Sequence, residues 1–454
     1  MAEIRGPKGF ESFVFLKRAK QIGFLPMLME LQKTYGDWVV VSSPTGQKIY
    51  IVNSASGIEE ILHDQASKFI KGKAIEVFKL LIGNGLPVAE GEKWRSQRRL
   101  VQPSFHRISI EGYAPVMHQT TVEHAERWAS AETSTHEADG SLNAARAIAQ
   151  LTHDIIARTM FGADLGDSLG ELQAAWTEAL EFIVDRSMKI VKLPLWVPSK
   201  SNLNYKRAMA LVSGTVDSIV QKRVSQKDSS ERQDLLQRLL VARDSEKDGK
   251  QLMTDREVRD QILAFLFAGH ETTASNIGFT LWRILGDPSI EAKVRAEIDE
   301  ALGGSPATYD QLPKLAYLRK VIYEALRLYP PASMFVRQSI EDVEISGHLL
   351  KKGSIFILTP YVVHRNPELW SNPETFDPER FASPPNQPVA RFFSFGAGPR
   401  VCIGEQFAIA EAQIVIATLL QKLDFELLSS PPVGELFRGT LQPSVLPVRV
   451  SARQ

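Results

Sequence analysis

The 454-residue chain has one cysteine, no excess of either charge and no long uninterrupted apolar run. A single cysteine excludes an intrachain disulfide and any all-cysteine zinc or iron–sulfur site, because those need several thiolates. Lys plus Arg and Asp plus Glu number 53 each, so no net field draws the chain to nucleic acid or acidic lipid. Between Met1 and Leu31 the apolar residues are interrupted by Arg5, Lys8, Glu11, Lys17, Arg18 and Lys20. No run there reaches the ~18 residues of a membrane span, and no signal-peptide core precedes a small-residue cleavage site. These absences predict a soluble, cytoplasmic protein without a transmembrane anchor, in a reducing compartment. With 44% hydrophobic residues the chain can bury a sizeable core. We expect one domain over 1–454, although length alone suggests about three.

Most of the sequence carries helical periodicity, so the expected fold class is mainly α with a minor β-sheet. The strands are expected from a small β-rich portion at about 30–70 together with 340–362. Trp38–Val41, the turn Pro44-Thr45-Gly46 and Ile49–Val52 read as a hairpin, and Val343–Ile345 and Ser354–Thr359 as strands completing the sheet. Helical patterns run through Ala114–Ala131 and Leu142–Phe161, and two more lie within Ala174–Arg223. The Pro-broken apolar stretch Lys189–Asn204 between the latter two reads as a lid over a substrate entrance. Ser225–Arg232 and Arg243–Gln251 read as solvated loops flanking a short helix.

A longer helix is announced by the capping box Thr254-Asp255-Arg256-Glu257, and the next proline is Pro288. It would run about 32 residues, or ~48 Å. Ile262–Ala268 is apolar on every side and therefore expected to be buried. Immediately after it come Gly269-His270-Glu271-Thr272-Thr273. Polar groups in a buried helix need partners or a task, since leaving a hydroxyl unpaired costs roughly 2–7 kcal/mol. Thr272 can bond back to the carbonyl of Ala268 and loosen the helix beside Gly269, opening a groove for a small ligand.

The lone cysteine, Cys402, is packaged unlike an ordinary buried thiol. It sits in Phe-Gly-Ala-Gly-Pro-Arg-Val-Cys-Ile-Gly, residues Phe395–Gly404, just before a long apolar helix. Helix-end N–H groups and the nearby Arg400 favour a thiolate. Gly398 and Gly404 would let backbone approach a flat cofactor, and Pro399 would stiffen the turn. The pattern F-x-x-G-x-R-x-C-x-G is matched at Phe395, Gly398, Arg400, Cys402 and Gly404. It resembles the haem-binding loop of the cytochrome P450 family, and the similarity extends over nearly the whole chain, from the Trp94 helix to the Cys402 helix.

That resemblance implies the P450 fold, with haem between the long central helix and the cysteine loop, and Cys402 as axial ligand of the iron. It implies that Trp94 and Arg98, four apart on one helix face, bind one haem propionate, and that Arg337 binds the other. The ordered A-G-x-E-T-T from Ala268 to Thr273 resembles the oxygen-activation site, with Glu271 and Thr272 delivering protons; His270 is not expected to bind the iron. Glu324, Arg327 and Arg380 resemble the buried structural Glu-Arg-Arg cluster behind the haem loop. Ile75, Phe78, Leu81, Phe265, Gly269, Ala332, Met334, Phe335 and Leu441 would line an apolar substrate pocket, with Ala268 against the haem. Core packing accounts for several of these positions equally well.

The activity implied is mixed-function oxidation: haem b and O2, one oxygen atom inserted into a lipophilic small molecule by hydroxylation or epoxidation, and two electrons supplied from outside. Fatty acids, terpenoids, steroids and polyketides all fit an apolar lining. The stretch from Cys402 to Gln454 leaves no room for a fused reductase, so a monomer fed by a ferredoxin or flavodoxin and an NAD(P)H-dependent reductase is expected. Lys93, Arg95, Arg99 and Arg391 are candidate docking cations. Three alternatives compete: a haem-thiolate peroxygenase or isomerase, a non-catalytic haem-binding sensor or carrier, and a cysteine hydrolase using a base such as His364. The acid–threonine pair disfavours the first, and the haem loop disfavours the third.

Overall fold

The computed structural model describes residues 3–8, 11, 18–19, 21–42, 47–130, 137, 139–164, 169–188, 192–225, 234–247, 250–382, 391–428 and 433–453. The principal helices are α1 (Phe24–Tyr35), α2 (Gly91–Val101), α3 (Arg107–Ala129), α4 (Ala144–Phe161), α5 (Leu169–Met188), α6 (Lys200–Ser225), α7 (Leu235–Asp244), α8 (Asp255–Leu285), α9 (Pro288–Leu302), α10 (Ala316–Leu328) and α11 (Glu405–Lys422). Strands β1 (Trp38–Ser42), β2 (Lys48–Val52), β3 (Phe69–Ile70), β4 (Phe335–Ser339), β5 (Val343–Ile345), β6 (His348–Leu350) and β7 (Ile355–Leu358) carry most of the sheet. The fold is therefore mainly helical with small sheets. Among the described residues, no helix is long and apolar enough to cross a membrane.

By its internal contacts the chain divides into two compact units. The first comprises 1–75, 320–402 and 435–442. Its sheet has the order β1-β2-β7-β4-β3. β1 and β2 form the expected antiparallel pair, with Trp38 opposite Val52, whereas the turn at 44–46 lies outside the described residues. β7 joins β2 in parallel and β4 antiparallel. The β-branched and aromatic residues of β2 and β7 suit this surface; Tyr50 stacks on Phe356 at 5.6 Å, and Phe69 meets the same ring edge-on.

Two sequence expectations need correction here. Val343–Ile345 does not extend the main sheet but pairs with β6 as a separate hairpin. The fourth strand of the main sheet is instead β4, whose positions are nearly all half-buried and so lack the inside–outside alternation that marks a strand.

The second unit comprises 76–319, 403–434 and 443–454. α8 spans 31 residues and opens on the anticipated capping box: the Thr254 hydroxyl accepts from Glu257 N–H at 3.3 Å, and the Glu257 carboxylate accepts from Thr254 N–H at 2.9 Å. Asp287 caps the next helix, which begins at Pro288. Ile262–Leu266 is buried as expected, but the burial stops there: Phe267 is half-buried and Ala268 exposed. The helix is thus not apolar-packed throughout Ile262–Ala268, and its polar turn begins at a partly open face.

α6 starts at Lys200, five residues before the periodicity suggested, so the connection after α5 is shorter than Lys189–Asn204. Residues 189–191 of that stretch lie outside the described set, as do 226–232 and 248–249 of the two charged stretches. The remainder of the connection is pinned: Asn202 donates to the carbonyls of Pro194 and Val197 at 2.9 and 2.8 Å, and Arg186 to that of Leu193 at 2.8 Å. Glu246–Lys247 and Lys250–Gln251 pair as short strands where a loop was expected. The Gly-punctuated stretch after Lys71 likewise holds two short helices, Lys73–Glu76 and Lys79–Ile82.

Candidate active site

In the first unit, the loop bearing Cys402 is closed by its own backbone. Cys402 N–H donates to the Phe395 carbonyl at 2.9 Å and Val401 N–H to that of Gly398 at 3.0 Å. The sulfur-bearing residue is exposed, while Phe395 and Arg400 are half-buried. Gly396 and Gly398 have φ of 75° and 66°, a left-handed backbone that disfavours any residue with a Cβ. At Gly398 the backbone also closes on protein: a Cβ there would lie 2.0 Å from the Leu62 carbonyl oxygen and 2.9 Å from the His63 Cα. Its close approach is to protein backbone, seating the loop on Glu60–Asp64. Gly404, at φ −92°, needs no glycine-specific conformation.

Behind the loop lies a saturated polar cluster. Glu324 and Arg327 are both fully buried and joined at 2.7 and 2.8 Å. Arg327 also donates to the carbonyls of His364 and Pro373, each at 2.7 Å, and of Thr375 at 3.2 Å. Glu324 accepts from Asp377 N–H at 2.9 Å and lies 3.4 Å from Arg380. The Glu-Arg-Arg set is therefore assembled within this unit. Burying an ion pair is costly unless the remaining donors are engaged, a condition that Arg327 meets.

His364 was missed as a member of this cluster. Its Nδ1–H donates to the Arg327 carbonyl at 3.0 Å and its Nε2 accepts from Phe393 N–H at 2.9 Å. Burial pushes its pKa down to about 3. With both ring nitrogens committed, it is not a free base, so the base named for the cysteine-hydrolase alternative is lost. Ser394 adds a bond to the Leu326 carbonyl at 2.8 Å. No local spacing marks His364, because its partners are 37 and 29 residues away.

Among the pocket candidates in this unit, Ile75, Ala332, Met334 and Phe335 are half-buried, and Leu441 is fully buried with its N–H on the Pro331 carbonyl at 3.0 Å. Phe335 lies beside Gly396, its ring 3.7 Å from where a Cβ would stand. Arg337 is half-buried on β4.

In the second unit, the turn after Leu266 carries an unusual density of side-chain bonds to its own carbonyls. The Thr272 hydroxyl donates to the Ala268 carbonyl at 2.7 Å, as anticipated. His270 Nδ1–H donates to the Leu266 carbonyl at 2.7 Å. Its ring is buried and stacked on His153 at 4.6 Å, consistent with the expectation that it is no metal ligand. Burial lowers the His270 pKa to about 4 and holds that of His153 well below the ordinary imidazole value. Glu271, Thr272 and Gly269 are half-buried.

The other candidates of this unit fall into two groups. Trp94 and Arg98 are half-buried on α2, the guanidinium 5.8 Å from the indole centroid, so they do share a face. Phe78 is half-buried and touches Phe267 at 6.0 Å. Leu81 and Phe265 are buried, and Phe265 stacks on Phe105 at 5.3 Å. Asp260 and Gln261, which sequence reasoning passed over, hold the loop following Leu81: they accept from Asn84 N–H at 2.7 Å and Leu86 N–H at 3.2 Å. Desolvation raises the Asp260 pKa. Of the candidate docking cations, Lys93 is paired with Glu257 at 2.9 Å and Arg95 with Glu92, so both charges are already met within the chain.

The donor set fits a haem. Among the described residues, no three His, Cys, Asp or Glu side chains are grouped to hold a metal ion. A lone exposed thiol on a backbone-braced loop suits an iron that brings its other four donors in a porphyrin.

Comparison with known proteins agrees with this donor chemistry. The family model described as Cytochrome P450 matches residues 6–445. The chain is 33% identical to Cyclooctatin synthase of Streptomyces melanosporofaciens, over 82% of this chain and 79% of that one. It is 34% identical to Cyclooctat-9-en-7-ol 5-monooxygenase of the same organism, over 78% and 75% of the two chains. With Pentalenene oxygenase of Streptomyces avermitilis the identity is 32%, over 82% and 81%.

Proposed function

Since the chain belongs to the cytochrome P450 family, we propose that Cys402 is the axial haem ligand and Glu271 and Thr272 the proton-delivering pair of an enzyme that hydroxylates a terpenoid. Membership makes the protein a haem-dependent monooxygenase that uses O2, takes electrons from redox partners and acts on lipophilic small molecules. When bound, the haem supplies dioxygen activation, and a thiolate ligand favours O–O cleavage. The observation carrying the assignment is the exposed Cys402 on a loop locked by its bond to Phe395 and backed by a buried, fully bonded Glu324–Arg327 pair.

The remaining roles follow from side-chain chemistry. Trp94 and Arg98 on one propionate, and Arg337 on the other, would orient the ring, an indole N–H and guanidinium forks being suited to carboxylates. Arg400, Phe395 and Ala268 would pack on it. Ile75, Phe78, Ala332, Met334 and Phe335 supply apolar, partly open side chains for a hydrocarbon substrate. Leu81, Phe265 and Leu441, proposed for the same lining, are buried. The terpenoid class rests on the relatives' named activities. A ferredoxin or flavodoxin with an NAD(P)H-dependent reductase is the proposed electron source.

The proton-delivery role is tested with Thr272→Ala. NADPH consumption should continue while peroxide rises and product per NADPH falls about a hundredfold, the low end of general acid–base contributions. Unchanged product yield would remove the role.

A further inference from the structure

Three carbonyls in the turn before and within the acid–threonine motif, those of Leu266, Ala268 and His270, each accept a side-chain hydrogen bond. Two of these donors, His270 and Thr272, belong to α8 itself. The third does not: the Thr152 hydroxyl of α4 donates to the His270 carbonyl at 3.0 Å. Thr152 is fully buried, so water does not compete for that proton. One turn further along α4, Ile156 presses on Gly269, where a Cβ would come within 2.6 Å of its Cδ1. Between them His153 stacks on His270. Residues four apart share a helix face, and this face of α4 meets Gly269 and the His270 carbonyl.

An added donor on a helix carbonyl tilts it away from the axis and weakens its bond to the amide four residues on, here that of Ala274. The turn that presents Glu271 and Thr272 thus carries three such bonds, two from its own side chains and one from α4. The Thr152 hydroxyl has a single proton and a second acceptor, the Ala149 carbonyl of its own helix, at 3.3 Å. The shorter contact is the one to α8.

We infer that Thr152 is a positioning residue for the acid–threonine pair: its hydroxyl holds the His270 carbonyl and thereby fixes the backbone geometry of the turn that carries Glu271 and Thr272. The inference rests on the proton-delivery reading above. It assigns no contact with substrate or haem to Thr152.

The test uses holoenzyme of the wild type, Thr152→Val, Thr152→Ser, Thr152→Ala and Thr272→Ala. Valine keeps the shape and removes the donor; serine keeps the donor; alanine serves if valine fails to fold. The first readout is hydrogen–deuterium exchange across 269–276. Without the Thr152 bond, the Ala274 amide regains its full partner and should exchange about three- to tenfold more slowly, the range of one net hydrogen bond. The second is peroxide released per NADPH consumed, with a surrogate ferredoxin and reductase. Thr152→Val should move this yield at least halfway from the wild-type value to that of Thr272→Ala, and Thr152→Ser should restore both readouts. Wild-type exchange, or a wild-type peroxide yield, in Thr152→Val, or in Thr152→Ala where valine does not fold, would overturn the inference. If Thr272→Ala itself left the yield unmoved, the proton-delivery reading would fail instead.

Discussion

The cysteine loop with its backing cluster and the polar turn of α8 solve opposite problems with the same kind of bond. In the first, every donor of Arg327 and both nitrogens of His364 are spent on fixed carbonyls, carboxylate oxygens and one amide, so nothing can move without leaving a buried group unpaired. In the second, carbonyls that already have helical partners receive surplus side-chain donors. Saturation makes a rigid mount, as a ligand position requires. Surplus donors set the geometry of a turn whose backbone is already bonded, as presenting an acid and a hydroxyl together requires.

The largest expected break of that comparison is Arg327→Ala. It strips the partner from a fully buried Glu324 and leaves the carbonyls of His364 and Pro373 without their donor. Breaking a buried pair in this way costs about 3–5 kcal/mol. Urea unfolding should show a loss of that size together with loss of haem content. A loss below about 1 kcal/mol would mean that the cluster is not the rigid mount described.

A smaller effect separates the regions by pH. His364 has its pKa pushed down to about 3 and His270 to about 4, against 6.5 for an ordinary imidazole, mainly by burial. Below pH 6.5 the unfolded chain therefore binds protons that the folded chain refuses. Stability present above that pH is lost as pH falls, by about 1.4 kcal/mol per pH unit for each such histidine. His364→Gln, whose amide can donate to Arg327 and accept from Phe393, should reduce the slope between pH 6.5 and 5 by about one proton. A slope that stays the same would show that the loop region contributes nothing to acid sensitivity.

Legibility in the sequence followed the range of the interactions. The capping box at Thr254, the back-bond of Thr272 and the shared face of Trp94 and Arg98 are local, and their spacings announced them. The cysteine loop was legible as a pattern, yet the reason for Gly398 was not, because the Leu62 carbonyl that fills its space lies far earlier in the chain. His364 and Thr152 stayed hidden for the same reason: their partners come from distant segments. β4 escaped because half-burial on both faces erases alternation, and the start of α6 because its boundary is set by Asn202 reaching back to Pro194 and Val197.

The central claim is that the Cys402 sulfur ligates haem iron, and the absorption spectrum of the dithionite-reduced, carbon-monoxide-treated protein tests it most directly. The long-wavelength Soret band of thiolate-ligated haem should appear in the wild type and vanish in Cys402→Ser. Its absence from the wild type, or its persistence in the variant, would contradict the account.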